Sequence, residues 1–297
     1  MIGLAGRDFL DIADLDADAI RRILELGHRI KSGEWSGRPL AGRHIAMLFQ
    51  RPSHRTRVSF EVGIARLGGV TTTLGEQDVQ LGVRESIRDA ARVLDQYVDG
   101  IVARLRTHAD LMQLAQAAEK PVINALTDRS HPCQVLADLM TLEEVRGPLE
   151  RQHVVYVGDG NNIATSLIEA SVRLGFELTV ITPPGYEPPA ADGNHVVMTN
   201  RLDGLAQATA VYTDVWASMG REEERDARRK AFAEYQVNES LMAAAPNAVF
   251  MHCLPAHRGE EVTDAVIDGP ASVVFQQAGN RLYAQMALMA ELFGGAS

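Results

Sequence analysis

The sequence predicts an α/β protein of two doubly wound domains, each a mainly parallel sheet flanked by helices, joined by interdomain helices. Three observations predict it. Short apolar runs alternate with amphipathic stretches along almost the whole chain, as strands do when each feeds a crossover helix. The 297 residues exceed one average domain and suit two. The alternation stops and restarts at Gly147-Pro148, which divides a first domain, residues 1–146, from a second, residues 147–297.

The apolar runs, taken in order, are Ile45 to Phe49, Val70 to Leu74, Ile101 to Ala103, Val122 to Ala125, Val154 to Val157, Leu178 to Ile181, Val196 to Met198, Val211 to Thr213 and Val249 to Met251. Helical spacing is clearest from Ser86 to Val98, where Ile87, Ala90, Ala91, Leu94, Tyr97 and Val98 recur behind a capping serine. A long helix from Pro132 to about Val145, with proline in its first turn, leads into Gly147-Pro148. The stretch Thr182 to Asn194, broken by Pro183-Pro184-Gly185 and Pro188-Pro189, reads as the only extended loop. A last helix, Asn280 to Phe293, is expected to fold back toward the first domain.

Composition excludes several classes. Hydrophobic residues at 46% and charged residues at 23% suit a globular protein with a sizeable core and rule out a disordered chain. A net charge of −10 argues against a nucleic-acid partner, because phosphate-backbone binding needs a basic face. No run approaches the roughly 20 apolar residues of a membrane span, and Asp8, Asp11, Asp14, Asp16 and Asp18 crowd the start of the chain, so a cytoplasmic protein is expected. Cys133 and Cys253 stand far apart with no CxxC or Cys/His cluster, so neither a metal nor a disulfide framework is expected.

Ligands of open α/β sheets bind beyond the carboxyl ends of the strands. The polar residues after each apolar run are therefore the candidates. Gln50 to Arg57 follows the first, Arg104 the third, Asp128 to Gln134 the fourth, Gly158 to Asn162 the fifth, Asp214 the eighth, and His252-Cys253-Leu254-Pro255 the ninth. Ser53 to Arg57 suits an oxyanion: a capping serine, backbone amides at a helix start, and guanidiniums that can fork onto phosphate. The bland alternative is a solvated basic helix end, which three arginines within seven residues of an acidic protein count against. His131 and Gln134 stand at the first turn of a helix, where they can donate to a carbonyl oxygen. Gly158-Asp159-Gly160 follows a strand like a dinucleotide fingerprint, but the third glycine is missing. Asn161 and Asn162 offer amides to a carboxylate or amine, or simply cap a helix. Asp214 is a carboxylate that needs a cationic partner, and a lone Cys253 is more often a small core residue than a reactive one.

These segments together resemble the ornithine carbamoyltransferase family from about Leu40 to Leu292. Ser53-His54-Arg55-Thr56-Arg57 is similar to the family's Ser-Thr-Arg-Thr-Arg motif. Further matches are Gln80-Leu81-Gly82, His131-Pro132-Cys133-Gln134, Gly158 to Asn162, Asp214-Val215-Trp216-Ala217-Ser218-Met219-Gly220, His252 to Gly259, and Asn280-Arg281. Cys253 and Ser218-Met219-Gly220 place the likeness on the ornithine branch rather than the aspartate one.

The resemblance implies that carbamoyl phosphate is bound by Ser53, His54, Arg55, Thr56, Arg104, His131, Gln134, Cys253, Leu254 and Arg281, with Arg104, His131 and Gln134 polarising the carbamoyl group. Gln80 would reach the site of a neighbouring copy in a homotrimer. Asn162, Asp214, Ser218 and Met219 would hold L-ornithine. Arg55, Arg104, His131, Asp214 and Cys253 would carry catalysis, with Asp214 and Cys253 beside the amine and no metal or organic cofactor. Departures from the pattern are His54 in place of the usual threonine, Arg104-Leu105-Arg106-Thr107-His108 in place of Arg-Thr-Phe-Gly-His, and Gly279 and Tyr283 around Arg281. Rival readings are a carbamoyltransferase for putrescine or an acylated ornithine, a non-catalytic homologue, and a nicotinamide dehydrogenase.

Overall fold

The computed structural model of the protein describes residues 4–78, 80–189, 193–217 and 224–294. Its chain forms two compact units, one made of the stretch up to Met140 with the stretch from Asn280 onward, the other of Thr141–Gly279.

The first unit holds a four-stranded sheet in the order β2-β1-β3-β4, from β1 (His44–Phe49), β2 (Val70–Gly75), β3 (Gly100–Arg104) and β4 (Val122–Leu126). Every pairing is parallel, so each strand must be followed by a crossover. These are α2 (His54–Arg66), α3 (Ile87–Leu94) and α4 (His108–Ala117). Because the chain moves outward from β1 to β2 and then returns to the other side of β1, the strand order reverses between β1 and β3. That crevice is where an open sheet takes its ligand.

The second unit holds a five-stranded sheet in the order β7-β6-β5-β8-β9, all parallel, from β5 (His153–Val157), β6 (Glu177–Ile181), β7 (Val196–Thr199), β8 (Ala210–Thr213) and β9 (Val249–His252). Its reversal falls between β5 and β8. The Thr213 hydroxyl donates to the Val157 carbonyl at 2.6 Å and fastens the two strand ends together there. The helices α6 (Asn162–Leu174), α7 (Arg225–Phe232), α8 (Glu239–Ala244) and α9 (Asp264–Ile267) belong to this unit. The chain leaves the first unit within α5 (Pro132–Arg146) and re-enters it within α10 (Val274–Phe293).

All nine apolar runs are strands, within one or two residues at each end. Full burial explains why the central ones read so clearly: Ile45, Met47, Ile101 and Val102 in one sheet, and Val154, Val157, Val180 and Val211 in the other, are 0% exposed, whereas the edge strands β2 and β7 are half-exposed.

Two expectations are corrected. The helix capped by Ser86 ends at Leu94 rather than Val98. Asp95 there turns its carboxylate to the amides of Glu119 and Lys120, the chain bends toward β3, and Tyr97 points to solvent at 72% exposure. The stretch 182–194, of which 190–192 lie outside the described residues, is not the only one of its kind, because among the described residues 253–263 also lack regular elements. An amphipathic helix, α1 (Ala17–Ser32), was not foreseen. Asp16 caps it by accepting from the Ala19 amide, Gly33 ends it at φ 83°, and Ile20, Ile23, Leu24 and Ile30 are buried.

Candidate active site

In the first unit the carboxyl ends of β1, β3 and β4 carry the predicted cluster. Ser53 caps α2 in extended conformation, accepting from the Thr56 amide at 3.3 Å and donating its hydroxyl to Thr56 Oγ1. The amides of that first turn, and the positive end of the helix dipole, face whatever lies beyond β1. Thr56 is buried and accepts a second bond, from Arg281 at 2.9 Å. Arg281 also donates to Gln134 Oε1, and Gln134 Nε2 donates to Asp138 Oδ1 at 2.8 Å. All four of these groups are at most 2% exposed. An arginine can only donate and a carboxylate can only accept, so the Gln134 amide has one possible orientation. One N–H of its NH₂ group goes to Asp138, so Gln134 braces Arg281, and the second N–H is the one it has for a carbonyl.

His131 sits at the N-terminal edge of α5, 6% exposed, and Arg104 ends β3 at 5%. Burial holds the His131 imidazole well below its ordinary pKa, and the positive charges of Arg281, Arg104 and Arg55 push it further the same way. It is therefore neutral at pH 7, a hydrogen-bonding ring among three guanidiniums. Such a group of cations packed together has an anion as its natural complement. Arg55 is half-buried and His54 is exposed. Gln80 is not buried with the cluster: it is exposed in a turn where its carbonyl accepts from the Val83 and Arg84 amides.

In the second unit the ends of β5, β8 and β9 meet around Asp214, which is 6% exposed. Oδ2 accepts from Asn161 Nδ2 at 2.7 Å, while Oδ1 accepts from the Val215 amide at 2.8 Å and from the Cys253 thiol at 3.0 Å. Asn161 is itself fixed, since its Oδ1 accepts from the amides of Ile163 and Ala164 at the start of α6 and from the Tyr156 hydroxyl. Tyr156 is buried, and desolvation followed by the charges of Asp214 and Asp159 keeps its phenol well above the usual range and protonated. Asn162 is the first residue of α6 and is half-buried. Ser218 and Met219 lie outside the described residues.

Beyond Cys253, Leu254 occupies the left-handed region at φ 56°, a conformation that costs a leucine of order 1 kcal/mol and is held by its surroundings. Its amide donates to His252 Nδ1 at 2.8 Å, and His252 Nε2 lies 3.2 Å from Glu261, both side chains being fully buried. Asp214, His252 and Cys253 bring ligand atoms within 4.8 Å of one another, a spacing a metal ion could use. Here these atoms bond to each other and to neighbouring protein groups instead.

Gly160 explains the broken fingerprint. A Cβ on it would run into the backbone of Glu187 and Pro188, and its amide donates to the Tyr186 carbonyl. The close backbone packing gives this glycine a structural reason, which counts against the dinucleotide reading. The sequence offered the Asn161 amide to a carboxylate without saying that it is Asp214's, and two features left no mark in it: the His252–Glu261 pair and Arg228. That arginine, 4% exposed, bridges Asp159 at 2.9 Å and donates to the Trp216 carbonyl. Asn161 was legible as a helix cap, whereas the long-range pairs left no local signal.

Two family models match the chain. Residues 7–144 fit the carbamoyl-P binding domain of the aspartate/ornithine carbamoyltransferases, and residues 150–292 fit the Asp/Orn binding domain of the same family. An ornithine carbamoyltransferase of Thermococcus kodakarensis is 50% identical, with 99% of each chain covered. The solved ornithine carbamoyltransferase of Pyrococcus furiosus superposes with a TM-score of 0.92 at 48% identity over 100% of both chains. That of Thermus thermophilus gives 0.88 at 40% identity, covering 96% of this chain and 98% of the other.

Proposed function

Since the chain belongs to the aspartate/ornithine carbamoyltransferase family, we propose that it transfers the carbamoyl group of carbamoyl phosphate to the δ-amine of L-ornithine, giving L-citrulline and phosphate. The observation that carries this choice of acceptor is Asp214: a buried carboxylate, oriented by Asn161 and beside a thiol, wants a cation. Ornithine brings an ammonium on a flexible arm. Aspartate would bring a second carboxylate.

Carbamoyl phosphate binds to the first unit. Its phosphate takes the α2 amides, Ser53, Thr56, Arg55 and Arg281, with His54 at the rim. Its carbonyl oxygen takes Arg104 and His131. A neutral His131 is suited to this, because it donates one N–H without adding a fourth positive charge to the cluster. Cys253 and Leu254 border the carbamoyl group, and Asn162, Asp214, Ser218 and Met219 hold ornithine.

The ornithine side chain has a Lys-like pKa of roughly 10.4 in water and must lose a proton to attack. Asp214 receives the ammonium beside the Cys253 thiol, and its carboxylate takes that proton. The amine nitrogen then bonds to the carbonyl carbon, and the developing oxyanion draws on Arg104 and His131, each worth about 3 kcal/mol when well aimed. The carbon–oxygen bond to phosphate breaks, the nitrogen gives up its remaining extra proton, and phosphate accepts it. Cys253 forms no covalent bond.

The protein works as a homotrimer in which Gln80 of the partner subunit completes each site. The exposure of Gln80, and of Val58 and Val62 one turn apart on α2, supports that assembly. A cytoplasmic location fits two free thiols, and among the described residues no helix is long and apolar enough to cross a membrane. The deciding experiment is citrulline formation by the purified protein, with putrescine, N-acetylornithine and aspartate assayed in parallel. Citrulline well above the enzyme-free blank is the expected result, and turnover of another amine alone would overturn the acceptor.

A further inference from the structure

The first unit contains a buried polar junction for which the reaction above has no use. It joins the loop after β3, the turn after β4 and the N-terminal segment, and His108 is common to all three. Its backbone amide donates to Asp128 Oδ1 at 2.7 Å. Its ring lies with Nδ1 3.1 Å from Thr127 Oγ1 and Nε2 3.3 Å from Asp11 Oδ2. Arg129 meets the same Asp11 oxygen at 2.6 Å and stands 3.4 Å from Nε2.

The roles of the two ring nitrogens follow from their partners. A carboxylate can only accept, so Nε2 carries the hydrogen toward Asp11, and Nδ1 shares a hydrogen bond with the Thr127 hydroxyl, which can serve either role. Thr127 Oγ1 in turn accepts from the Ser130 amide at 3.3 Å, and the Thr127 amide donates to the Ser130 carbonyl at 3.0 Å. Asn124 Nδ2 adds bonds to Ser130 Oγ and the Leu10 carbonyl. Thr127, Ser130 and Asn124 are 0% exposed, and the side chain of His108 only 12%. The residue after Ser130 is His131, and four residues before His108 stands Arg104. One imidazole thus ties together the two loops that carry the two proposed carbonyl donors.

We propose that His108 is a positioning residue, holding the Thr127–Ser130 turn against the end of β3 so that His131 and Arg104 share one fixed geometry. The inference rests on the reaction proposed above. The phosphate cradle of Ser53, Thr56 and Arg281 does not pass through this junction. Loss of the His108 ring therefore acts on the transition state more than on carbamoyl phosphate binding.

The test measures citrulline kinetics for the unaltered protein, His108→Ala, His108→Asn and His108→Gln, each checked for folding by thermal melting. The alanine variant should lose about 10–100-fold in kcat, the effect of misplacing a reacting group by about 1 Å, with KM for carbamoyl phosphate within about threefold. Asparagine places an amide atom near Nδ1, within reach of Thr127, whereas glutamine reaches only toward Asp11. Asparagine should therefore recover more of kcat than glutamine, and this ranking still decides the matter if His108→Ala fails to fold. A kcat within twofold of the unaltered protein in all three variants, or rescue by glutamine and not by asparagine, overturns the proposal. An unaltered protein that makes no citrulline would instead overturn the reaction assignment.

Discussion

The two units use one architecture to opposite electrostatic ends. In both, a parallel sheet reverses its strand order and gathers side chains at the strand ends. The first unit places Arg55, Arg104 and Arg281 around a neutral His131, and the second places a carboxylate beside a thiol and an asparagine. The supports differ accordingly. Arg281 is steered by acceptors, Thr56 and Gln134, with Asp138 behind them, whereas Asp214 is steered by donors, Asn161, the Val215 amide and Cys253. The fold thus settles where ligands meet the sheets, while the sign of the charge placed there settles what they are.

Removing a cation from the first unit should break this division most severely. Arg104→Leu is expected to lower kcat/KM for carbamoyl phosphate by about a thousandfold or more, because it takes away a transition-state donor and leaves a buried site short of charge. Asp214→Asn comes next, with a loss of about a hundredfold or more in kcat/KM for ornithine. It should leave the Kd of carbamoyl phosphate, read by calorimetry, within about twofold. Loss of carbamoyl phosphate binding in Asp214→Asn would show that the two units do not divide the substrates as proposed.

A smaller effect sharpens the comparison. Asn161→Ala keeps the carboxylate and removes the group that orients it, so kcat/KM for ornithine should fall about tenfold. Stability should drop by about 1 kcal/mol from the lost helix cap. An unchanged rate with lower stability would reduce Asn161 to a cap.

Much of this was legible in the sequence, for physical reasons. Central strands buried on both faces read as continuous apolar runs, and the half-exposed edge strands β2 and β7 could be placed by their shorter runs between turns. Groups at strand ends follow those runs directly, which exposed Ser53, Arg104, His131, Asp214 and Cys253. What escaped was set at long range. Nothing near Gln134 in sequence says that its amide NH₂ belongs to Asp138, nor that Arg281, 147 residues on, takes its oxygen. Gly160 looked like part of a phosphate loop until the approach of Glu187 and Pro188 gave it another purpose. Tyr97 kept the apolar period yet left the core, because Asp95 ended the helix sooner than periodicity implied.

The gentlest test bears on the neutral histidine in the cationic unit. In the unfolded chain His131 takes up a proton near pH 6.5, whereas in the folded chain burial and three guanidiniums keep it deprotonated well below that. The unfolded state therefore binds the extra proton as pH falls, and stability declines below about pH 6.5 with a slope approaching 1.4 kcal/mol per pH unit from this group. Above that pH both states are neutral and the contribution is flat. A comparison of two proteins isolates this group. His131→Gln retains a donor without titrating, and its melting temperature should fall less steeply than that of the unaltered protein between pH 6.5 and 5. Parallel curves would mean that His131 gains its proton in the folded protein as well. The first unit would then be a cluster of four cations at mildly acidic pH, and the contrast with the second unit would be one of protonation state as much as of sequence.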